Sequence, residues 1–238
     1  MSDPAVLELQ GVDARYGLSQ ILFGVSLSIR EGKTMALLGR NGAGKSTTLK
    51  TIAGLVPPRA GRVVLAGREL QGRKAHVIAR AGIGYVPEDR QVFPEHTVED
   101  NLLIARKKGP NGEDHWTLDR VYEVFPLLEP MRHRYGGKLS GGQQQMLTIA
   151  RTLMGNPIAL LLDEPSEGLA PIVVASIAAL VKRLQAMGTT MLIAEQNMHF
   201  CLGIADDVTV IDKGHVVYRD TIEGLRANEQ IKQRYLVV

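Results

Sequence analysis

The sequence has a single cysteine, Cys201, so no disulfide can form within the chain, which agrees with a reducing compartment. No apolar run approaches the roughly 20 residues that a bilayer-spanning helix requires. Met1-Ser2-Asp3-Pro4 shows no charged start leading into an apolar export segment, so a soluble, unexported chain is expected. An excess of charge of either sign is also missing: 28 Lys and Arg against 25 Asp and Glu leave a net charge of +3, and the basic residues are scattered. That balance gives no electrostatic reason to expect nucleic acid as a partner. Internal repeats, low-complexity stretches and sustained heptads are absent too. What remains is 238 residues with 45% hydrophobic content, enough for one large domain or a core with an inserted lobe.

Periodicity divides the chain. Val6-Leu7-Glu8-Leu9 alternates apolar and polar residues, as does Val25-Ser26-Leu27-Ser28-Ile29 within Ile21 to Ile29, so two half-buried strands in an antiparallel opening are expected. Thr34-Met35-Ala36-Leu37-Leu38 is continuously apolar and suits a strand covered on both faces. A helix should follow from Ser46 to Leu55, ending near Gly54 because Pro57-Pro58 prevents its continuation. Further strands are expected at Arg62 to Leu65, Ile83 to Val86, Ile158 to Leu162, Thr190 to Ala194, Val208 to Ile211 and Val216 to Tyr218. Pro171 can open a helix whose Ile172, Ser176, Leu180 and Leu184 recur every four residues until Gly188 stops it. Between about Arg90 and Asn156 the pattern becomes helical, with Thr97 and Thr117 as helix caps, Gly109 to His115 as a polar loop, and a last helix following Ser140-Gly141-Gly142. Met146, Ile149, Ala150, Leu153 and Met154 share one face of the last of these helices, which Gly155-Asn156-Pro157 terminates. The expectation is an α/β fold with a mainly parallel sheet, a core spanning 1–89 and 157–220, an inserted helical lobe at about 90–156, and a C-terminal tail at 221–238.

Two glycine-bearing segments stand out against this frame. Gly39-Arg40-Asn41-Gly42-Ala43-Gly44-Lys45-Ser46 fits G-x-x-x-x-G-K-[ST], placed between a buried strand and a helix. Its glycines let successive backbone N–H groups fold around phosphate oxygens, while lysine and serine engage the terminal phosphates and Mg²⁺. Leu139-Ser140-Gly141-Gly142-Gln143 is a second N–H-rich loop at a helix start, without a lysine. One nucleotide needs one cradle, so the second loop makes most sense as a surface closing over a nucleotide held by another copy of the cradle. Leu160-Leu161-Leu162 then carries Asp163-Glu164 to the end of a buried strand, where carboxylates are rare unless they meet an ion or a cationic partner.

This ordered set resembles the ATP-binding subunits of ABC transporters over essentially the whole chain. The resemblance implies a P-loop ATPase core with an N-terminal antiparallel β subdomain and an inserted α-helical lobe, with ATP and Mg²⁺ as cofactors. The segment Gly39 to Thr47, including Arg40, Asn41, Gly42, Ala43 and Gly44, is expected to hold the phosphates. Lys45 would reach the β- and γ-phosphates, Ser46 and Asp163 would serve Mg²⁺, and Glu164 would act as general base toward the attacking water. Ser140, Gly141, Gly142 and Gln143 would meet the γ-phosphate in the opposite subunit, and Tyr16 would stack on adenine.

Three positions depart from the commonest family pattern. Glu88 stands where glutamine is usual, and can still ligate Mg²⁺ or hold water. Gln196 stands where a histidine usually contacts the γ-phosphate; it donates a hydrogen bond but carries no charge near neutral pH. Ala170 replaces a common aspartate. Together with Val86-Pro87-Glu88-Asp89-Arg90, Phe93-Pro94, Glu167-Gly168-Leu169-Ala170-Pro171 and Glu195-Gln196-Asn197, these departures look like the subunits of branched-chain, or hydrophobic, amino acid uptake systems. Relatives importing urea or short amides look similar. The resemblance implies a second ATPase subunit, a non-identical paralogue or an identical chain. It also implies integral-membrane permease subunits contacted through the lobe and Glu88 to about Thr97, an external solute-binding protein, and a peripheral place on the cytoplasmic face of the inner membrane. Two other readings compete. A soluble ABC ATPase of translation or DNA repair usually fuses two cassettes or carries coiled coils, and a P-loop kinase or GTPase has no use for the second glycine loop.

Overall fold

The computed structural model describes residues 5–236; Met1-Ser2-Asp3-Pro4, considered above for an export signal, and residues 237–238 lie outside them. The chain opens with two long antiparallel strands, β1 (Ala5–Tyr16) and β2 (Ser19–Arg30), followed by β3 (Thr34–Leu38) and α1 (Lys45–Ile52). The strands β4 (Ala60–Leu65) and β5 (Arg68–Glu69), the helix α2 (Ala75–Ala81) and the strand β6 (Ile83–Val86) come next. Three helices follow, α3 (Val98–Ile104), α4 (Leu118–Val124) and α5 (Gly141–Leu153). The chain then alternates through β7 (Ala159–Asp163), α6 (Pro171–Ala186), β8 (Thr190–Glu195), α7 (Met198–Leu202), β9 (Asp207–Asp212), β10 (His215–Thr221) and α8 (Ile222–Ala227).

Two sheets result. One is antiparallel with order β2-β1-β4-β5, and the other runs β10-β9-β3-β8-β7-β6, parallel except for the β9–β10 pair. The parallel strands of the second sheet are buried on both faces, and they sort their residues by parity. Met35, Leu37, Leu161 and Leu192 join a core shared with the antiparallel sheet and with Leu49 and Ile52 of α1. Ala36, Leu38, Leu160, Leu162, Met191 and Ile193 join a core shared with α5, α6 and the helices between residues 90 and 156. This double coverage explains why β3, β7 and β8 read as continuous apolar runs.

The Thr97 and Thr117 caps form as the sequence suggests, and Ser140, read from sequence as a phosphate contact, also caps its helix. Thr97 and Asp100 make a reciprocal capping box on α3, Ser140 and Gln143 make another on α5, and the Thr117 hydroxyl accepts from the Arg120 N–H on α4. The expected four-residue ladder on α6 needs correction. Ile172 is 76% exposed, and the buried face is Ile177, Leu180, Val181 and Leu184. Four residues advance an α-helix by more than one turn, so a strict i, i+4 series winds off the face by about 40° per step. A mix of three- and four-residue steps stays on it.

Parallel order brings the carboxyl ends of β3, β6, β7 and β8 to one edge. Leu38 pairs with Glu195, Asp163 with Ala194 and Val86 with Leu162, so the cradle, Asp163-Glu164 and the Glu88 segment all emerge there. The segment after β6 is held by a buried amide that the periodicity did not flag. Asn101 Nδ2 donates to the carbonyls of Phe93 at 3.0 Å and Thr97 at 2.9 Å, and its Oδ1 accepts from the Phe93 N–H at 2.9 Å and from Arg151 Nη1 at 3.3 Å. Replacing Asn101 with alanine removes these bonds and takes from the Phe93 N–H its acceptor, and is expected to lower stability by about 1–3 kcal/mol. Urea unfolding is the measurement, and a midpoint equal to that of the wild type would argue against this role.

Candidate functional site

The cradle is built where β3 leaves the core and α1 begins. Gly44 caps α1 with φ 110°, and a Cβ there would lie 2.9 Å from Leu22 Cδ2, so only glycine fits both the backbone and the space. The Gly44 carbonyl accepts from both the N–H and the hydroxyl of Thr48, each at 2.9 Å. A short relay anchors the loop from outside: Gly214 N–H donates to the Ala43 carbonyl at 2.8 Å, and Phe23 N–H donates to the Gly214 carbonyl at 3.0 Å. Arg40, Asn41 and Gly42 are exposed on the rim, whereas Gly39, Ala43 and Thr47 are buried.

Lys45 folds back over this loop. Its Nζ donates to the carbonyls of Gly39 at 2.9 Å and Arg40 at 3.2 Å and pairs with Glu164 Oε1 at 3.0 Å. Lys45 is 3% exposed and Glu164 9%, so each charge would be costly to bury without the other. Glu164 reaches this position through an unusual backbone. Its φ of 46° lies in the left-handed region, which a residue with a Cβ adopts at a cost, and its N–H donates to the Ala194 carbonyl at 2.9 Å. The turn is what diverts Glu164 from the line of β7 toward the cradle lysine.

Asp163, one residue earlier, faces α1. Its Oδ1 accepts from the Ser46 hydroxyl and its Oδ2 from the Tyr85 hydroxyl, both at 2.9 Å. Burial raises the Asp163 pKa, opposed by these two hydrogen bonds and by the Lys50 charge. Burial, with the Asp163 charge next, pushes the Tyr85 phenol far up, so Tyr85 is a fixed donor. Among the described residues no cluster of three His, Cys, Asp or Glu could hold a metal by itself. An Mg²⁺ ion typically takes one or two carboxylates and completes its shell with phosphate and water, and Ser46 with Asp163 supplies an oxygen pair of that kind.

More carboxylates surround Glu164. Glu195 is buried and clips two loops together: Oε1 accepts from Ser166 N–H at 3.0 Å and Oε2 from Asn197 N–H at 3.2 Å, while burial raises its pKa. Glu167 is pushed up to about 7, first by a hydrogen bond with Glu164, then by burial and by the charges of Glu164, Glu88 and Glu195. Glu88 is thus exposed but part of this acidic neighbourhood. Gln196 is half-buried and lines a cleft of about 480 Å³ with Glu164, Glu167 and His199. Tyr16, at the end of β1, is 48% exposed. The second glycine loop has other surroundings: Ser140 N–H donates to Gln143 Oε1 at 2.9 Å, and Gly141 and Gly142 form the first turn of α5. Tyr85, Glu167 and Glu195 escaped the sequence reading. For Glu195 the visible signal was polarity at the end of an apolar strand, the same signal that singled out Asp163.

The shift on Glu167 has a definite sign. The folded chain binds its proton more tightly than an unfolded glutamate of pKa 4.5, so its contribution to stability is present below that value and is lost as pH rises through about 7. A Glu167→Gln variant cannot ionise there. Its thermal midpoint should therefore gain on the wild type between pH 5 and pH 8; a constant difference would contradict the shift.

The model of the family described as "ABC transporter" matches residues 22–167. The high-affinity branched-chain amino acid transport ATP-binding protein BraG of Pseudomonas aeruginosa is 39% identical over 231 residues, 97% of this chain and 99% of BraG. The lipopolysaccharide export system ATP-binding protein LptB of Escherichia coli K12 is 32% identical, covering 98% of this chain and 97% of LptB. Among solved structures, a dimeric post-hydrolysis state of the ATP-binding cassette MJ0796, bound to ADP and Pi, superposes with a TM-score of 0.77 at 25% identity. That match covers 91% of this chain and 98% of the cassette. With a strand-loop-helix cradle, a buried Asp-Glu pair at its edge and a capped glycine loop on α5, the chain belongs to the ABC transporter family as an ATP-binding, ATP-hydrolysing subunit.

Proposed function

We propose that this subunit drives an importer of branched-chain or other hydrophobic amino acids, and that its resting site is switched on by exchange of the Lys45 partner. The observation that carries the mechanism is the buried Lys45–Glu164 ion pair. Phosphate oxygens entering the cradle compete for Lys45 with Glu164 and with the Gly39 and Arg40 carbonyls. Backbone N–H groups from Asn41 to Ser46, at the positive end of α1, hold the phosphates while Lys45 moves onto the β- and γ-oxygens. Glu164, released from the lysine, then orients the attacking water and takes its proton.

Ser46 and Asp163 would hold Mg²⁺, with Glu88 beside them, and the ion would neutralise charge developing between the β- and γ-phosphates. Tyr85 keeps Asp163 aimed at Ser46. Gln196 offers an uncharged hydrogen bond at the γ-phosphate, Gln143 completes the cap of α5, and Tyr16 is placed to cover adenine. The Ser140-Gly141-Gly142 turn closes over the nucleotide of a second ATPase subunit, a paralogue or a second copy. Closure is transmitted through the lobe and the segment from Glu88 to about Thr97 to permease subunits, with the chain lying peripherally on the cytoplasmic membrane face. An external solute-binding protein would deliver the solute. The choice of solute rests on the likeness to BraG and on the residue pattern around Glu88, Glu167 and Gln196.

Glu164→Gln is expected to cut hydrolysis about 10²-fold or more while ATP stays bound and paired subunits accumulate. Undiminished turnover would remove Glu164 as the base. Gln196→Ala should lower turnover, and a wild-type rate would drop Gln196 from the site. For the solute, radiolabelled uptake in cells with and without the chain should show loss for leucine and valine; loss confined to urea or short amides would redirect the assignment.

A further inference from the structure

Arg90 occupies a junction that the proposed chemistry does not use. It follows β6 with φ 63°, beside Gln91 at φ 30°, two successive residues with a Cβ in the left-handed region. This backbone is clamped onto α5. The Thr148 hydroxyl donates to the Arg90 carbonyl, and Arg151 Nη2 donates to the Gln91 carbonyl at 2.6 Å, with its guanidinium 4.9 Å from the Phe93 ring centre. The clamp aims the Arg90 side chain between two loops. Nη2 donates to the Glu167 carbonyl at 3.1 Å, and Nη1 lies so near the start of α5 that a Cβ on Gly141 would sit 2.7 Å from it. A Cβ on Gly168 would be 3.7 Å from Nη2. The guanidinium is thus seated on glycine backbone at both ends.

These contacts join three segments far apart in sequence: the loop after β6, the loop carrying Glu164 and Glu167, and the Ser140-Gly141-Gly142 turn. In the two-subunit arrangement proposed above, on which this inference rests, the second segment serves the chain's own nucleotide and the third serves its partner's. We propose that Arg90 is a positioning residue that ties these two segments into one unit, so that the turn offered to the partner's nucleotide is set in register with the chain's own hydrolytic loop. A planar fork can lie against Gly141 and donate to the Glu167 carbonyl at once. A lysine ammonium offers the charge without the fork.

The test uses the Glu164→Gln chain together with the ATPase that copurifies with it, itself or a paralogue, and measures ATP-driven pairing by sedimentation. Adding Arg90→Ala is expected to weaken pairing at least tenfold while the affinity of the single subunit for a fluorescent ATP analogue stays within twofold. With Glu164 intact, Arg90→Ala should lower kcat about tenfold with KM unchanged within twofold. The retained nucleotide affinity shows that the variant is folded, and Arg90→Lys, the milder change, should pair no better than threefold above Arg90→Ala. Equal pairing with and without Arg90→Ala would overturn the role of Arg90 while leaving the two-subunit site standing. Full rescue by lysine would assign the effect to charge and overturn the clamp. If the Glu164→Gln chain pairs with neither itself nor a paralogue in ATP, the two-subunit reading falls and this inference falls with it.

Discussion

Burial of the central parallel strands on both faces is the constraint from which the rest of the molecule follows. Strands β3, β7 and β8 have no solvent-facing side, so ionisable groups can enter only where these strands end. Parallel order places those ends together. Asp163 and Glu195 are therefore close in space because they are terminal, and Lys45 joins them because α1 starts from the same edge. The site is the seam at which a fully apolar sheet stops being apolar.

That seam carries more negative than positive charge. Of Asp163, Glu164, Glu167 and Glu195 only Glu164 pairs with the buried Lys45, and the molecule accommodates the others in different ways. Asp163 takes two hydroxyl donors, Glu195 takes two backbone N–H groups, Glu164 takes the lysine, and Glu167 keeps its proton into the neutral range. Each solution uses a donor fixed by the fold, so the acidic edge is ordered rather than merely tolerated. A nucleotide brings still more negative charge to this edge, which makes the commitment of Lys45 the decisive variable there.

Much of the framework could be read from local pattern because its signals are local. Thr97 and Thr117 are caps, and a cap is written within four residues. The apolar runs of β3, β7 and β8 declare double-sided burial, and the cradle and the Asp-Glu pair that follow two of them meet at one sheet edge. The small elements α2 and β5 and the helix α8 were not foreseen, being too short for a period to emerge. The α6 face was misjudged because four-residue spacing drifts where a helix needs three and four mixed. Tyr85, Arg90 and Asn101 were missed for another reason: each acts on backbone or side chains far away in sequence, and one sequence contains no measure of that proximity.

The relay from Phe23 through Gly214 to Ala43 crosses from the antiparallel sheet to the cradle by way of the β9–β10 turn. It makes the phosphate loop common property of both sheets, riveted from either side. A loop so fastened cannot shift without breaking a bond to one layer or the other. The stretch after β6 is fastened differently, its ties running to α5 and to the Glu167 loop. The cradle thus belongs to the two sheets, and the segment after β6 to the helices.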